Sequence, residues 1–395
     1  MIALRGGHVC DPGLGWDGPG DLYIRSGRIE ALTAAGGPPP PGEWEVRDCA
    51  GALVVPGPID TLCRVRLQPD PWLEGLEGVA AAAAAGGYTA ILAYTGSAEP
   101  AVIAALARAE LAVRLHPVAA LTAGGRLADL GLLADAGAVA FSDWPEPVPD
   151  AALLRRALEY AAHLDRAVIV QAEDAGLARG GVMHEGALSF ALGLRGVPAA
   201  AETAAVARDA AVQRAFGGRL HFAALSAADS LPLRAEATAG VSACHLCLTE
   251  EAVSGYNTAA KLRPPLRAER DRAALLAEAR AGGLLLASGH DPAPPEEKFC
   301  EYDYASFGAQ VLDATLPAAL GVLEPAAFVR AACQGPAAAF GLPGGTLKRG
   351  APADVAVFAR DGGGPTGPGS PLAGVARPAR PLLTVLGGRV AVCAS

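Results

Sequence analysis

Residues 138–171 read AVAFSDWPEPVPDAALLRRALEYAAHLDRAVIVQ. The stretch opens on a short apolar run, Ala138 to Phe141, and closes on another, Ala167 to Gln171. Between them lie a Pro-rich turn and a segment, Asp150 to Leu164, with a helical pattern. Apolar strand, helix, apolar strand is the repeating unit of a parallel sheet with helices over its faces. A strand buried on both sides has no polar face to alternate.

The same alternation continues in both directions. Strand candidates are Ile59 to Val65, Tyr88 to Tyr94, Ala112 to Ala120, Ala138 to Phe141, Ala167 to Gln171, Leu220 to Leu225, Val241 to Cys247 and Leu284 to Ser288. Helical stretches such as Ala199 to Phe216 follow most of them. Eight apolar strands with helices between predict a (β/α)8 TIM-type barrel over residues 56–344. Residues 1–55 and 345–395 read differently, as short strands between Pro, Gly and Asp clusters. Ile2 to Val9, Asp21 to Ile24, Arg28 to Leu32 and Leu53 to Val55 come from one end. Val355 to Phe358, Leu382 to Leu386 and Arg389 to Val392 come from the other. The two sets predict one composite small β-sandwich domain. A doubly wound open sheet is the competing α/β arrangement, but no G-x-G-x-x-G follows an early strand.

Composition narrows the function. Only 18% of the 395 residues are charged, which implies a large buried interior, and the net charge of −9 argues against a nucleic-acid partner. Residues 78–98 carry no charge, yet Ala80 to Ala85 followed by Gly86-Gly87 reads as a helix end and a strand, not a membrane span. Met1 is followed directly by a strand-like run with no signal-peptide pattern, so a cytoplasmic chain with reduced thiols is expected. Gly36 to Gly42 and Gly362 to Gly369 read as loops.

In a (β/α)8 barrel, chemistry sits at the C-terminal ends of the strands. Those positions are poor in metal ligands here. Asp60, Asp143, Glu173, Asp174, His290 and Asp291 are the candidates, and adjacent residues rarely converge on one ion. No Lys precedes Lys261, so no early strand offers a lysine carbamate. His163 falls in a helix, His8 in the terminal strands, and His221 near the start of a strand. Cys244-His245-Leu246-Cys247 looks like half a zinc motif without its second half. Placed on a strand, the two thiols would face opposite sides, which favours core packing. Asp143 beside Trp144 is either a functional carboxylate or a loop-ordering one.

Taken together, the segments resemble the dihydroorotase family of the amidohydrolase superfamily. Val55 to Asp60 resembles that family's approach to strand one, and Ala82 to Thr89 its A-A-A-G-G-F-T. Ala140 to Asp143 resembles A-F-S-D, and Gly180 to Gly186 resembles G-G-V-M-N-E-G with His184 at the Asn. Ala260 to Arg267 resembles A-K-V-N-P-P-L-R, Pro295 to Lys298 P-E-E-K, and Gly350 to Asp354 G-A-P-A-D. Each segment alone is a weak signal. Their common order and spacing make the set specific.

The departures fall on the chemistry. The family's D-x-H-x-H keeps Asp60 but has Leu62 and Arg64 at the His positions. Gln171 and Ala224 stand where strands five and six end in His. Gly289 replaces the catalytic Asp, Ala293 the last His of T-D-H-A-P-H, Gly96 the Asn of M-P-N-T, and Arg263 the Asn of N-P-P-L-R. Asp143 and His290 remain as vestigial candidates, and Arg66 stands at the family's substrate arginine. Hydrolysis of a cyclic amide in this family needs a metal-activated water and a carboxylate to move its proton. Zinc, expected in active relatives, is therefore not expected here, and Arg64 would place a positive charge where the ion should sit.

The resemblance implies a dihydroorotase-like protein of pyrimidine biosynthesis without the hydrolase reaction. Its implied role is that of a structural or regulatory partner of aspartate carbamoyltransferase, as some bacteria carry, and it implies a homo-oligomer. The alternatives are a cyclic amidohydrolase with altered or no metal, using Asp143, His290 and Asp291 with Arg64 and Arg66 gripping an anionic substrate, and a pocket that binds a small anionic metabolite and regulates the partner.

Overall fold

The computed structural model describes residues 1–67, 75–363 and 369–393. Five strands come first: β1 (Ile2–Asp11), β2 (Trp16–Arg25), β3 (Arg28–Ala34), β4 (Glu45–Asp48) and β5 (Leu53–Pro56). The barrel strands follow as β6 (Ile59–Arg64), β7 (Ala90–Tyr94), β8 (Arg114–Ala119), β9 (Ala140–Phe141), β10 (Ala167–Val170), β11 (Arg219–Phe222), β12 (Thr238–Ser242) and β13 (Leu285–Ala287). The chain closes with β14 (Val355–Ala359), β15 (Arg380–Leu386) and β16 (Arg389–Cys393). The Gly36 to Gly42 loop is irregular as expected, and the Gly362 to Gly369 loop lies partly outside the described residues.

The unit at residues 138–171 forms as its pattern predicts. Asp150 caps the helix at Ala151–His163 by accepting the Leu153 amide at 2.8 Å. Leu153, Leu154, Ala157, Leu158 and Ala161 form its buried face, and each leucine contributes roughly 1.5–3 kcal/mol by leaving water. On β10, Ala167 and Ile169 pack inside the barrel while Val168 and Val170 pack outward against the helical layer. Both sides of the strand are apolar for that reason.

All barrel strands pair in parallel, in the order β13-β12-β11-β10-β9-β8-β7-β6. The first and last strands meet just beyond β13. Arg64 donates its amide to the His290 carbonyl at 2.8 Å, and Gly289 donates to the Leu62 carbonyl at 3.1 Å. Asp60 reinforces this seam by accepting the Ser288 amide at 2.7 Å and the Ser288 hydroxyl. Gly289 sits at φ +68°, a left-handed conformation that costs glycine little.

The terminal strands form one eight-stranded sheet in the order β16-β15-β14-β5-β1-β2-β3, with β4 beside the first half of β1. One face gathers Leu4, Val9, Leu22, Val54, Val355 and Val385 into a core of its own. The other puts Cys10, Val55 and Phe358 against the barrel. The predicted sandwich is thus a continuous sheet wrapped around its core. Asp11 fastens it to the barrel side, accepting from Gln334 at 2.8 Å, Thr346 at 2.9 Å and the Leu347 amide at 2.7 Å.

One strand assignment is corrected. Val241 to Cys247 is not a strand: β12 stops at Ser242, and Ala243–Cys247 is a short helix. Ser242 stands at its N-cap, accepting the His245 amide at 3.4 Å. Cys244 and Cys247, three residues apart on a helix, share a face instead of opposing each other. Burial pushes both thiols up, to about 12 and about 11, so they are neutral packing groups. Among the described residues no helix is long and apolar enough to cross a membrane.

Candidate functional site

The C-terminal ends of the eight strands form a mouth, and its carboxylates are already engaged. Asp60 is fully buried in the barrel seam, where desolvation raises its pKa and the Ser288 and Leu62 hydrogen bonds oppose the rise. Asp143 accepts the Leu121 amide at 2.8 Å, the Thr122 amide at 3.0 Å and the Thr122 hydroxyl at 2.8 Å. Its carboxylate therefore orders the loop after β8. Asp174 turns its own loop, accepting from Gly176 and Leu177, both at 2.9 Å. Glu173 receives a two-pronged hydrogen bond from Arg263, Nε at 3.2 Å and Nη2 at 2.6 Å. Glu146 lies 3.6 Å from the same guanidinium.

Arg64 and Arg66 converge on one oxygen of Asp291, each at 3.6 Å. Arg66 also donates to the Pro292 carbonyl at 3.1 Å. Burial raises the Asp291 pKa, with the two arginines pulling it back. Arg64 further stands over the Trp144 ring, 6.0 Å from its centroid, and Trp144 meets Tyr94 edge to face at 5.5 Å. Arg66, expected at the substrate position, is half-buried, with its guanidinium toward Asp291 and the Pro292 carbonyl.

The histidines do not gather either. The His290 ring is buried, and its Nδ1 accepts the Val311 amide at 3.4 Å. His245 has both ring nitrogens engaged: Nε2–H donates to the Pro264 carbonyl at 3.1 Å and Nδ1 meets the Ser242 hydroxyl at 2.8 Å. Burial lowers its pKa to about 4, so it is neutral. His116 and His221 are likewise neutral, lowered by burial to about 4 and about 3. Leu62 and Ala224 pack into the barrel interior. Gln171 is 1% exposed, and neither atom of its amide has a hydrogen-bond partner among the described residues.

Among the described residues, no three His, Cys, Asp or Glu side chains are grouped so as to hold a metal ion. A zinc ion needs three or four such ligands. The side chains at this mouth do not fit one, because Leu62, Ala224 and Gly289 offer no donor and Arg64 carries a positive charge. In its place lies a mainly apolar cavity of about 180 Å³, lined by Leu62, Trp144, Ala224 and Phe307 with Arg263 and Asp291 as its charged members. A space of about 420 Å³ beside it shares Arg263 and Phe307.

Residues of the motif segments are held by hydrogen bonds within the protein. His184 and Arg267 meet at 3.0 Å, Arg267 also donates to Ser226 at 2.8 Å, and Glu202 accepts the Ala227 amide at 2.9 Å. Lys261 donates to the Tyr302 carbonyl at 2.7 Å, and Lys298 to the Ser306 carbonyl at 2.8 Å. Sequence reasoning treated Arg263 only as a lost Asn and missed its pairing with Glu173. It also placed Asp291 among possible ligands when its partners are the two arginines.

A family model described as dihydro-orotase-like matches residues 51–230. The chain is 39% identical over 424 residues to a dihydroorotase of Pelotomaculum thermopropionicum, covering 98% of each chain. It is 36% identical to a dihydroorotase of Syntrophus aciditrophicus, covering 90% of this chain and 89% of that one. In fold it is similar to the L-hydantoinase (dihydropyrimidinase) of Arthrobacter aurescens, with a TM-score of 0.84 at 21% identity over 98% of this chain and 95% of the other. The D-hydantoinase of a Thermus species gives 0.81 at 19% identity, over 100% of this chain and 95% of that one.

Proposed function

The chain belongs to the dihydro-orotase-like family, and from that premise we propose that it is a catalytically silent member, acting as a structural or regulatory partner of aspartate carbamoyltransferase. The observation that carries the silent half is the Arg64–Asp291–Arg66 cluster at the mouth of a barrel that has, among the described residues, no grouped ligand set. Activating water requires an ion or a free base near the scissile bond. Asp143, the leading carboxylate by resemblance, spends both oxygens on its loop. The partner half rests on the resemblance, with an intact barrel as its support: the fold is complete while the reactive positions differ. We place the working form in the cytoplasm as a homo-oligomer.

The experiment is co-purification. The chain and the transferase of the same organism, mixed at micromolar concentration, are expected to elute together in size exclusion, ahead of either alone. Separate elution overturns the partnership. Dihydroorotate hydrolysis by the purified chain, lost in Asp143→Ala, would overturn the silent half and favour an altered amidohydrolase.

A further inference from the structure

Beyond the last barrel strand runs a strap, residues 295–304, that reads PEEKFCEYDY. Its one basic side chain is used on the protein itself. Lys298 donates to the Thr258 carbonyl at 3.1 Å and the Ser306 carbonyl at 2.8 Å. Lys261, 1% exposed, donates to the Tyr302 carbonyl at 2.7 Å and the Asp303 carbonyl at 3.1 Å. The Tyr302 hydroxyl adds a bond to the Val182 carbonyl at 3.4 Å. Two lysines and a tyrosine thus pin the strap to the body of the protein and fix what its outer face presents.

That face presents two aromatic rings and four carboxylates. Phe299 is 85% exposed and Tyr304 80%, two of the three most exposed large apolar side chains among the described residues. Glu296, Glu297, Glu301 and Asp303 are exposed as well, and none has an ion-pair partner among the described residues. A hollow of about 210 Å³ adjoins Phe299, lined in part by Pro295, Lys298 and Gln310. Large apolar side chains held together in water mark an interaction surface. Aromatic anchors on a pinned backbone lose little freedom when they are covered.

We propose that the outer face of residues 295–304 is a docking surface for a partner protein that brings arginine or lysine side chains around an apolar recess. Charge decides the occupant. Four unpaired carboxylates steer a cationic surface inward and repel an anionic one. A second copy docked strap to strap about a two-fold axis would set the carboxylates of both copies against each other. In taking the transferase as the cationic partner, the inference rests on the partnership proposed above.

The test uses the full chain and the transferase of the same organism, by size exclusion and by association kinetics at low and high salt. Phe299→Ala combined with Tyr304→Ala should weaken binding roughly thirtyfold or more while leaving the urea unfolding midpoint unchanged. Glu296→Gln combined with Glu301→Gln should slow association roughly tenfold at low salt and flatten its salt dependence. Leu132→Ala, which removes an apolar side chain 56% exposed on an outer helix, should bind as the wild type does.

Wild-type affinity in the aromatic double variant overturns the docking surface and leaves the partnership standing. An unchanged association rate in the glutamine variant overturns the cationic partner. So does a wild-type chain that self-associates and becomes monomeric in the aromatic variant, which would assign the face to a second copy. A loss as large in Leu132→Ala would show that no single face is used. Failure of the wild type to co-elute at all overturns the partnership and this inference with it.

Discussion

Asp143 illustrates how a single carboxylate changes role when the groups around it change. By resemblance it is a vestigial catalytic candidate; by geometry it clamps the Leu121–Thr122 loop with three hydrogen bonds. Asp143→Ala leaves two backbone N–H groups without their acceptor and is expected to cost about 1–3 kcal/mol in urea unfolding. Asp143→Asn, which keeps one acceptor oxygen, should recover part of that. If neither variant changes stability, the clamp is not what holds the loop. Arg263→Ala should cost about 1–3 kcal/mol as well, because it leaves the Glu173 carboxylate, 9% exposed, without its two-pronged donor. Arg263→Lys should rescue little, since an ammonium cannot supply the planar fork. Recovery to wild-type stability in the lysine variant would argue against the two-pronged contact. The replaced positions at this mouth were legible as letters in the chain. The pairings were not, because Arg64 and Asp291 become neighbours only when the barrel closes, and nothing local in either segment announces the partner.

Caps and packing faces decide the elements, and they also mark where the sequence misleads. Asp150 ahead of an apolar stripe is a readable helix start, and Asp150→Ala should lower stability by about 1 kcal/mol. Ser242 performs the same task for Ala243–Cys247 but sits inside a fully buried, mostly apolar run, Val241 to Leu246, that reads equally well as strand. Only four to five residues separate β12 from the end of that helix, too few for a helical period to show. Ser242→Ala removes the cap and the Nδ1 partner of His245 together, so its cost should exceed that of Asp150→Ala, at about 1–2 kcal/mol. Equal chemical-denaturation midpoints for the two variants would count against the double role. The barrel itself was legible because its strands are apolar on both faces and their helices are long. The terminal sheet was legible as strands, but not as a single wrapped sheet, since β5 pairing with β14 joins residues from opposite ends of the chain.

At the scale of the whole molecule, burying neutral histidines makes stability depend on pH in a fixed direction. His221 has a folded pKa of about 3 against an ordinary value of 6.5, because burial disfavours its charged form. The unfolded chain therefore binds a proton below pH 6.5 that the native protein does not. Native stability is complete above that value and falls as pH drops toward 3. At pH 5 the loss from this one group is about 2 kcal/mol. His116 and His245, each lowered to about 4, add losses of the same sign over a slightly narrower window. Asp60 works in the opposite sense, since burial raises its pKa and its contribution is lost as pH rises. The test isolates His221, whose ring packs edge to face on Phe340 at 5.1 Å and bonds Thr238 at 2.8 Å. His221→Leu is expected to be less stable than the wild type at pH 7.5, having lost those contacts. Between pH 7.5 and pH 5, however, it should lose about 2 kcal/mol less than the wild type in urea unfolding. Parallel pH profiles for the two proteins would mean that His221 is not held neutral in the barrel interior.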